Sequence, residues 1–248
     1  MKESPNHFNP IKKLGNVNQI SLGADSRVFR VVNPKEDVDI VAKEYSEIKI
    51  KPEVVKEIIE QYYADTERAK KITNEQPNPL NQRVKIEDKI YSLEYRITSQ
   101  GTIILNIPMV SNQSTRMWEI MHGIPKKKKH QEKIENKTSL GQEFIDGYDL
   151  NLLMNYEGEF QSLPKGITDA QEPFLERKEL GKVLCSMIEE FFSYLSKILN
   201  INLSFDSINI KPFLDKRNGK ITLIITDLAS SLEDYYKNSP KFKKPKEK

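Results

Sequence analysis

Residues Glu179–Leu199, E-L-G-K-V-L-C-S-M-I-E-E-F-F-S-Y-L-S-K-I-L, constrain the fold more than any other stretch. Leu180, Val183, Leu184, Met187, Ile188, Phe191, Phe192, Leu195 and Leu199 recur at three- and four-residue spacing, the signature of an amphipathic helix. Its apolar face is wide enough to need covering on several sides, so it reads as the core helix of the unit that contains it. Cys185, the single cysteine, falls in the same pattern and reads as a small buried hydrophobe rather than a nucleophile. One cysteine excludes a disulfide within the monomer.

Upstream the periodicity changes. Asn18–Val32 alternates apolar and polar residues around a Gly-containing middle, the pattern of strand, tight turn and strand, and V-D-I-V-A-K-E-Y, Val38–Tyr45, reads as a third strand. The N-terminal region is therefore expected to be an antiparallel sheet. Pro52 then stands at a first helical position, and Val55, Ile58, Ile59, Tyr62 and Tyr63 follow at helical spacing until Pro77–Asn81 stops the helix. Two strand-like runs follow, R-V-K-I-E-D-K-I-Y-S-L-E-Y-R-I and G-T-I-I-L-N-I-P-M-V. Gly141–Met154 reads as strand, Gly turn and helix start, with Asp149 as a cap. After the long helix come a loop, a hairpin with Asn218-Gly219 at its turn, and the strand I-T-L-I-I-T.

A chain of 248 residues is long enough for one large domain or two lobes, and 37 % hydrophobic with 30 % charged residues is the composition of a folded protein. The net charge of +3, from 39 basic and 36 acidic residues, gives no ground for a nucleic-acid partner. The block K-K-K-K-H, Lys126–His130, near Trp118, reads as a solvated face or, alternatively, as a contact for phosphate or an acidic partner. No transmembrane segment is expected, and Met1–Pro10 lacks the apolar core of a secretory signal. The expected location is cytoplasmic; a specialised export route would leave no mark in the sequence.

Two stretches carry chemistry. A turn with Gly23 and Ser26 lets backbone amides approach phosphate oxygens, and the third strand would aim Lys43 under that turn, where an ammonium can meet two phosphates. An acidic residue on the following helix could hold that lysine.

In these residues the chain resembles the protein-kinase fold. I-S-L-G-A-D-S-R-V-F is similar to the Gly-rich loop, with Gly23 kept as its second glycine, Ser21 in place of the first and Ser26 in place of the third. Val28 stands at the valine that packs on adenine, and V-A-K ends on Lys43 at the strand-three lysine. The resemblance implies Glu60 as the partner of Lys43, with Glu57 and Glu67 also available. It implies that E-F-I-D-G-Y-D-L is the hinge, where backbone groups of Glu143–Ile145 would meet the adenine edge. The order of these elements, from Gly turn to T-D-L, is the order that fold demands.

Against H-R-D-L-x-x-x-N, the stretch Asn202–Asn209 sets Asn209 on the motif's Asn and Ser204 on its Asp, so the usual catalytic base is missing. Asp227 in T-D-L stands at the Asp of D-F-G, with Leu228 and Ala229 beside it. Asn209 and Asp227, completed by phosphate oxygens and water, imply a Mg²⁺ pair. Asp206 is the candidate base, or it caps the local turn. Loss of a general base weakens transfer by about 10²–10⁴-fold without abolishing it.

Only residues 228–248 follow Asp227, which leaves no room for a large helical lobe, and in this the chain resembles compact bacterial kinase-like proteins. The expectation is an α+β, bilobal, protein-kinase-like fold. It would have an extension at 1–17, a β-rich lobe at 18–145 with an insertion around 111–140, a reduced helical lobe at 146–236, and a disordered basic tail at 237–248. The implied ligands are ATP and Mg²⁺, and the implied partner is a hydroxyl-bearing acceptor or, for a catalytically impaired pseudokinase, a protein.

Overall fold

Strand-forming residues and two long helical patterns sort the chain into an α+β structure of two compact units, one formed by Met1–Tyr63 and Gln100–Phe144, the other by Ala64–Ser99 and Ile145–Lys248. The structure, a computed structural model, describes residues 16–22, 26–33, 38–45, 52–75, 82–86, 88–108, 134–145, 147, 149–155 and 178–242. Among these, no helix is long and apolar enough to cross a membrane.

The first unit holds a five-stranded sheet. Strands β1 (Asn16–Leu22), β2 (Arg27–Asn33) and β3 (Val38–Glu44) form an antiparallel meander. After a first pair of strands that belong to the other unit, β6 (Gln100–Pro108) and β7 (Ile134–Glu143) complete it in the order β1-β2-β3-β7-β6. The pleat sends Arg27, Phe29 and Val31 to one face with Ile40, Ala42 and Glu44. The opposite face carries Val28, Arg30, Val41 and Lys43, joined by Leu140 and Gln142 of β7.

The other unit holds a four-stranded sheet in the order β4-β5-β9-β8. It is made of β4 (Arg83–Ile86), β5 (Lys89–Ile97), β8 (Ile210–Asp215) and β9 (Lys220–Ile225). Its central pair, β5 with β9, is parallel, whereas β4–β5 and β8–β9 are antiparallel hairpins. The sequence suggested that residues 83–97 belong with the N-terminal sheet; residues 92–97 pair instead with 220–225, and residues 83–86 with 89–92. Leu93, Tyr95 and Ile97 need an apolar face to cover them, and Ile221, Leu223 and Ile225 lie beside them in register. The β8–β9 turn uses Gly219 at φ 66°, a left-handed conformation that glycine adopts without strain.

Helix α1 (Pro52–Glu75) contributes residues 52–63 to the first unit and 64–75 to the second. Helices α2 (Leu150–Asn155), α3 (Lys178–Leu199) and α4 (Leu232–Asn238) belong to the second unit. Asp149 caps α2 by accepting from the Leu152 N–H at 3.0 Å. In α3, Leu180, Leu184, Ile188, Phe191, Phe192, Leu195 and Leu199 are buried. The Phe191 ring stacks on Tyr95 of β5 with centroids 4.0 Å apart, which seats the helix on the sheet. Val183, counted in the apolar face by its spacing, is exposed. Order continues past residue 237, where a disordered tail was expected: Pro240–Phe242 forms a 3-10 turn, and Phe242 packs on Tyr236 with centroids 5.3 Å apart.

Candidate functional site

In the first unit, Lys43 is half-buried in β3, with Val28 opposite it on β2 and Leu140 opposite it on β7. The β1–β2 register shifts between Gln19 and Ser21, so that Ser21 pairs with Val28. Ser26 is buried. Gly23 lies outside the described residues, as do Trp118 and Lys126–His130.

The α1 acids divide by helix face. Ile58, Ile59, Tyr62, Asp65, Thr66, Ala69 and Thr73 form the buried stripe. Glu57 and Glu60 lie off it, and Glu60 is exposed, 3.8 Å from Lys56. Glu67 is 4.0 Å from Lys70. The acid on the stripe is Asp65, in the second unit, whose carboxylate accepts from the Tyr235 hydroxyl at 2.5 Å. Burial and that carboxylate push the Tyr235 hydroxyl far above its ordinary value. The i, i+3, i+4 spacing around Ile58, Tyr62 and Ala69 would have singled out Asp65 over Glu60.

At the end of β7, the Phe144 N–H donates to the Asp39 carbonyl at 3.3 Å. The Phe144 ring lies 3.8 Å under the Arg30 guanidinium, which also grips the Asp39 carboxylate at 2.9 and 2.7 Å. The hydrogen bond from Arg30 is the main cause that holds the Asp39 carboxyl below its ordinary value. Glu143 and Ile145 on either side of Phe144 are half-buried.

In the second unit, the loop after α3 is tied down residue by residue. Asn200, at φ 56°, ends the helix in a left-handed conformation. The Leu203 N–H then donates to the Ser196 hydroxyl at 3.0 Å. Asp206 caps a 3-10 turn, Ser207–Asn209, with its Oδ1 accepting from the Ile208 N–H at 3.2 Å and its carbonyl accepting from the Asn209 N–H at 2.8 Å. The Asn209 carbonyl in turn accepts from both the N–H and the hydroxyl of Thr226, each at 2.9 Å. Asn209 and Asp227 are thereby brought to the same end of the β8–β9 hairpin, with Asp227 buried and Asn209 half-buried.

The loops that carry Asn209 and Asp227 also hold a cluster that the motif positions do not include. Ser204 donates to Asp234 Oδ2, and Ser230 donates to the same oxygen at 3.3 Å. Asn238 Nδ2 donates to Asp234 Oδ1 at 3.0 Å, and the Asp234 N–H donates to the Ser231 hydroxyl at 3.0 Å. The spacing Ser231-x-x-Asp234, a capping pattern, was the available signal. Lys211, two residues past Asn209, also escaped notice: burial pushes its ammonium below the usual lysine value, and Asp149 partly offsets this. Cys185 is half-buried, and burial with Glu189 nearby raises its thiol above the ordinary value, which disfavours the thiolate.

Among the described residues, no group of three or more His, Cys, Asp or Glu is gathered in a way that could hold a metal ion by itself. Comparison of the chain with protein-family models and with curated proteins finds no match.

Proposed function

We propose that the chain is a compact phosphotransferase of protein-kinase type, with the two units as its lobes, which moves the γ-phosphoryl group of ATP to a hydroxyl acceptor in the cytoplasm. The observation that carries this reading is the double hydrogen bond from Thr226 to the Asn209 backbone carbonyl, which holds Asn209 and Asp227, the chain neighbour of Thr226, at one hairpin end. Two hard oxygen donors fit a Mg²⁺ ion that takes its remaining ligands from phosphate and water. The strand order β1-β2-β3-β7-β6, with Lys43 on the central strand, supports the same reading.

Lys43 would neutralise phosphate charge without Glu60, the orienting acid that the resemblance implies, because Glu60 is exposed beside Lys56. The turn containing Ser21, Gly23 and Ser26 would cover the phosphates, Val28 would pack on the base, and backbone groups of Glu143–Ile145 would meet its edge. Asn209 and Asp227 would hold the metal, which when bound offsets charge developing on the phosphate oxygens. In phosphoryl transfer most of the acceleration comes from such positioning and electrostatics, so an altered base lowers the rate without removing the site.

Thermal unfolding with and without ATP and Mg²⁺ tests this. Saturation at a hundredfold excess over Kd should stabilise the native chain by about 2.7 kcal/mol. Lys43→Ala and Asp227→Asn, each shown to be folded by circular dichroism, should abolish the shift. An undiminished shift in both variants would overturn the site assignment. A second reading, a nucleotide-binding regulatory module without transfer, is favoured by Ser204 at the usual base position; ATP-dependent stabilisation with no turnover would select it.

A further inference from the structure

A phosphotransferase needs a group to take the proton of the attacking hydroxyl, and the loop position that ordinarily supplies a carboxylate carries Ser204. Asp206, two residues further on, accepts from the Ile208 N–H through its Oδ1 and from the Asn209 N–H through its carbonyl, which makes it the cap of the turn that presents Asn209. Ser204 is different. Its side chain is half-buried, and its hydroxyl donates to a carboxylate from another element, Asp234 of α4.

That carboxylate is fully oriented. Asn238 occupies Oδ1, Ser230 shares Oδ2 with Ser204, and the Asp234 backbone is anchored on Ser231. Ser230, three residues past Asp227, is 3.4 Å from Ser204, five residues before Asn209, so the cluster is built on the same two loops that carry Asn209 and Asp227, within a single unit. A serine that gives its own proton to a carboxylate leaves oxygen lone pairs free to receive another.

We propose that Asp234, acting through Ser204, is the proton acceptor of the transfer reaction; this rests on the phosphotransferase reading above. As the acceptor oxygen bonds to the γ-phosphorus, its proton moves to Ser204 Oγ, and the Ser204 proton moves to Asp234 Oδ2. The bond from the γ-phosphorus to the β–γ bridging oxygen breaks, and ADP leaves with the electron pair. Asp234 then returns its proton to solvent. Ser204 is the group that touches the acceptor, and Asp234 is a positioning residue that acts through it. A serine and an aspartate from two elements thus replace one aspartate on the loop.

The test uses the full chain with ATP, Mg²⁺ and water as the acceptor, with ADP release as the rate and the ATP-dependent thermal shift as a separate measure of binding. Asp234→Asn and Ser204→Ala should each lower turnover by about 10²–10⁴-fold while the thermal shift is retained. Ser204→Asp introduced into the Asp234→Asn chain should restore turnover, a rescue that a merely structural role for Asp234 would not give. Wild-type turnover in Asp234→Asn, or lost turnover that Ser204→Asp does not restore, would overturn the relay and leave the phosphotransferase reading standing. A wild-type chain that binds ATP without turning it over would overturn the relay in favour of the binding module. Absence of any thermal shift in the wild type would overturn the phosphotransferase reading and the relay with it.

Discussion

The two units bury different things. In the first, the sheet face with Phe29, Val31 and Ala42 also holds Arg27 and Glu44, an ion pair with Nε–Oε2 at 2.9 Å and side chains only 3 % and 1 % exposed. Gln142 is buried as well, and the buried Oε1 atoms of Glu44 and Gln142 find no hydrogen-bond partner among the described residues. In the second, the core is a stack of apolar layers: Tyr95 on Phe191, Phe192 against Phe205 with centroids 5.1 Å apart, and α2 pressed on α3. The second unit also buries the Asp65 carboxylate against the Tyr235 hydroxyl, so the contrast is between an ion pair set in a sheet and apolar layers packed by shape. The first should therefore fail when a partner is removed, and the second when volume is added.

The largest expected effect comes from breaking the polar side of this contrast. Glu44→Ala leaves the Arg27 guanidinium buried beside an empty place and should cost about 3–5 kcal/mol in urea unfolding. The paired change Arg27→Met with Glu44→Leu should recover most of that loss, since an apolar pair carries no desolvation cost. A paired variant as unstable as the single one would show that the ion pair is integral to the sheet and not a replaceable device.

A smaller effect tests the apolar side. A Cβ on Gly181 of α3 would meet Leu153 of α2 at 3.0 Å from Cγ and 3.1 Å from the backbone carbon, closer than side chains normally pack. Gly181→Val should therefore lower stability by about 1–3 kcal/mol, although leaving glycine favours a helix by up to ~1 kcal/mol. An unchanged urea midpoint would mean that α2 gives way, and that packing in this unit is looser than the contact implies.

The smallest effect separates exposed from buried ion pairs within the first unit. Arg30 and Asp39 are 39 % and 42 % exposed, so solvent screening limits their contribution to under about 1 kcal/mol. The Asp39 carboxyl is held below its ordinary value of 3.8, so its contribution is present above that pH and is lost as pH falls further. Asp39→Asn should remove this part of the acid dependence and change stability at neutral pH only slightly. A loss as large as that of Glu44→Ala would erase the distinction between the two pairs.

Local patterns were legible in the sequence, and partners in space were not. The stripe of α3, the Pro52 start of α1, the Asp149 cap and the Asn218-Gly219 turn follow from spacing and backbone preference within a few residues. Period-two alternation showed that residues 83–97 form strands but could not show that β5 pairs with β9, because pairing is decided by apolar faces far apart in sequence. At the candidate site, Asn209 and Asp227 were visible as motif positions. Asp65 and Asp234 were signalled only locally, by the spacing of the α1 stripe and by the Ser231-x-x-Asp234 capping pattern, while their partners Tyr235 and Ser204 lie on other elements and were not legible.

The parallel pairing of β5 with β9 also has a consequence for biosynthesis. Thr98, just past β5, meets Thr226, which lies 128 positions further along the chain. At a synthesis rate of roughly 5–20 residues per second, the finished β4–β5 hairpin must wait on the order of ten seconds for its parallel neighbour to leave the ribosome. During that interval Leu93, Tyr95 and Ile97 have no β9 beside them, and an open strand edge of this kind can recruit a nascent copy on the same message. Yield should thus respond to translation speed and to chaperone supply more steeply than the stability of the finished protein would suggest.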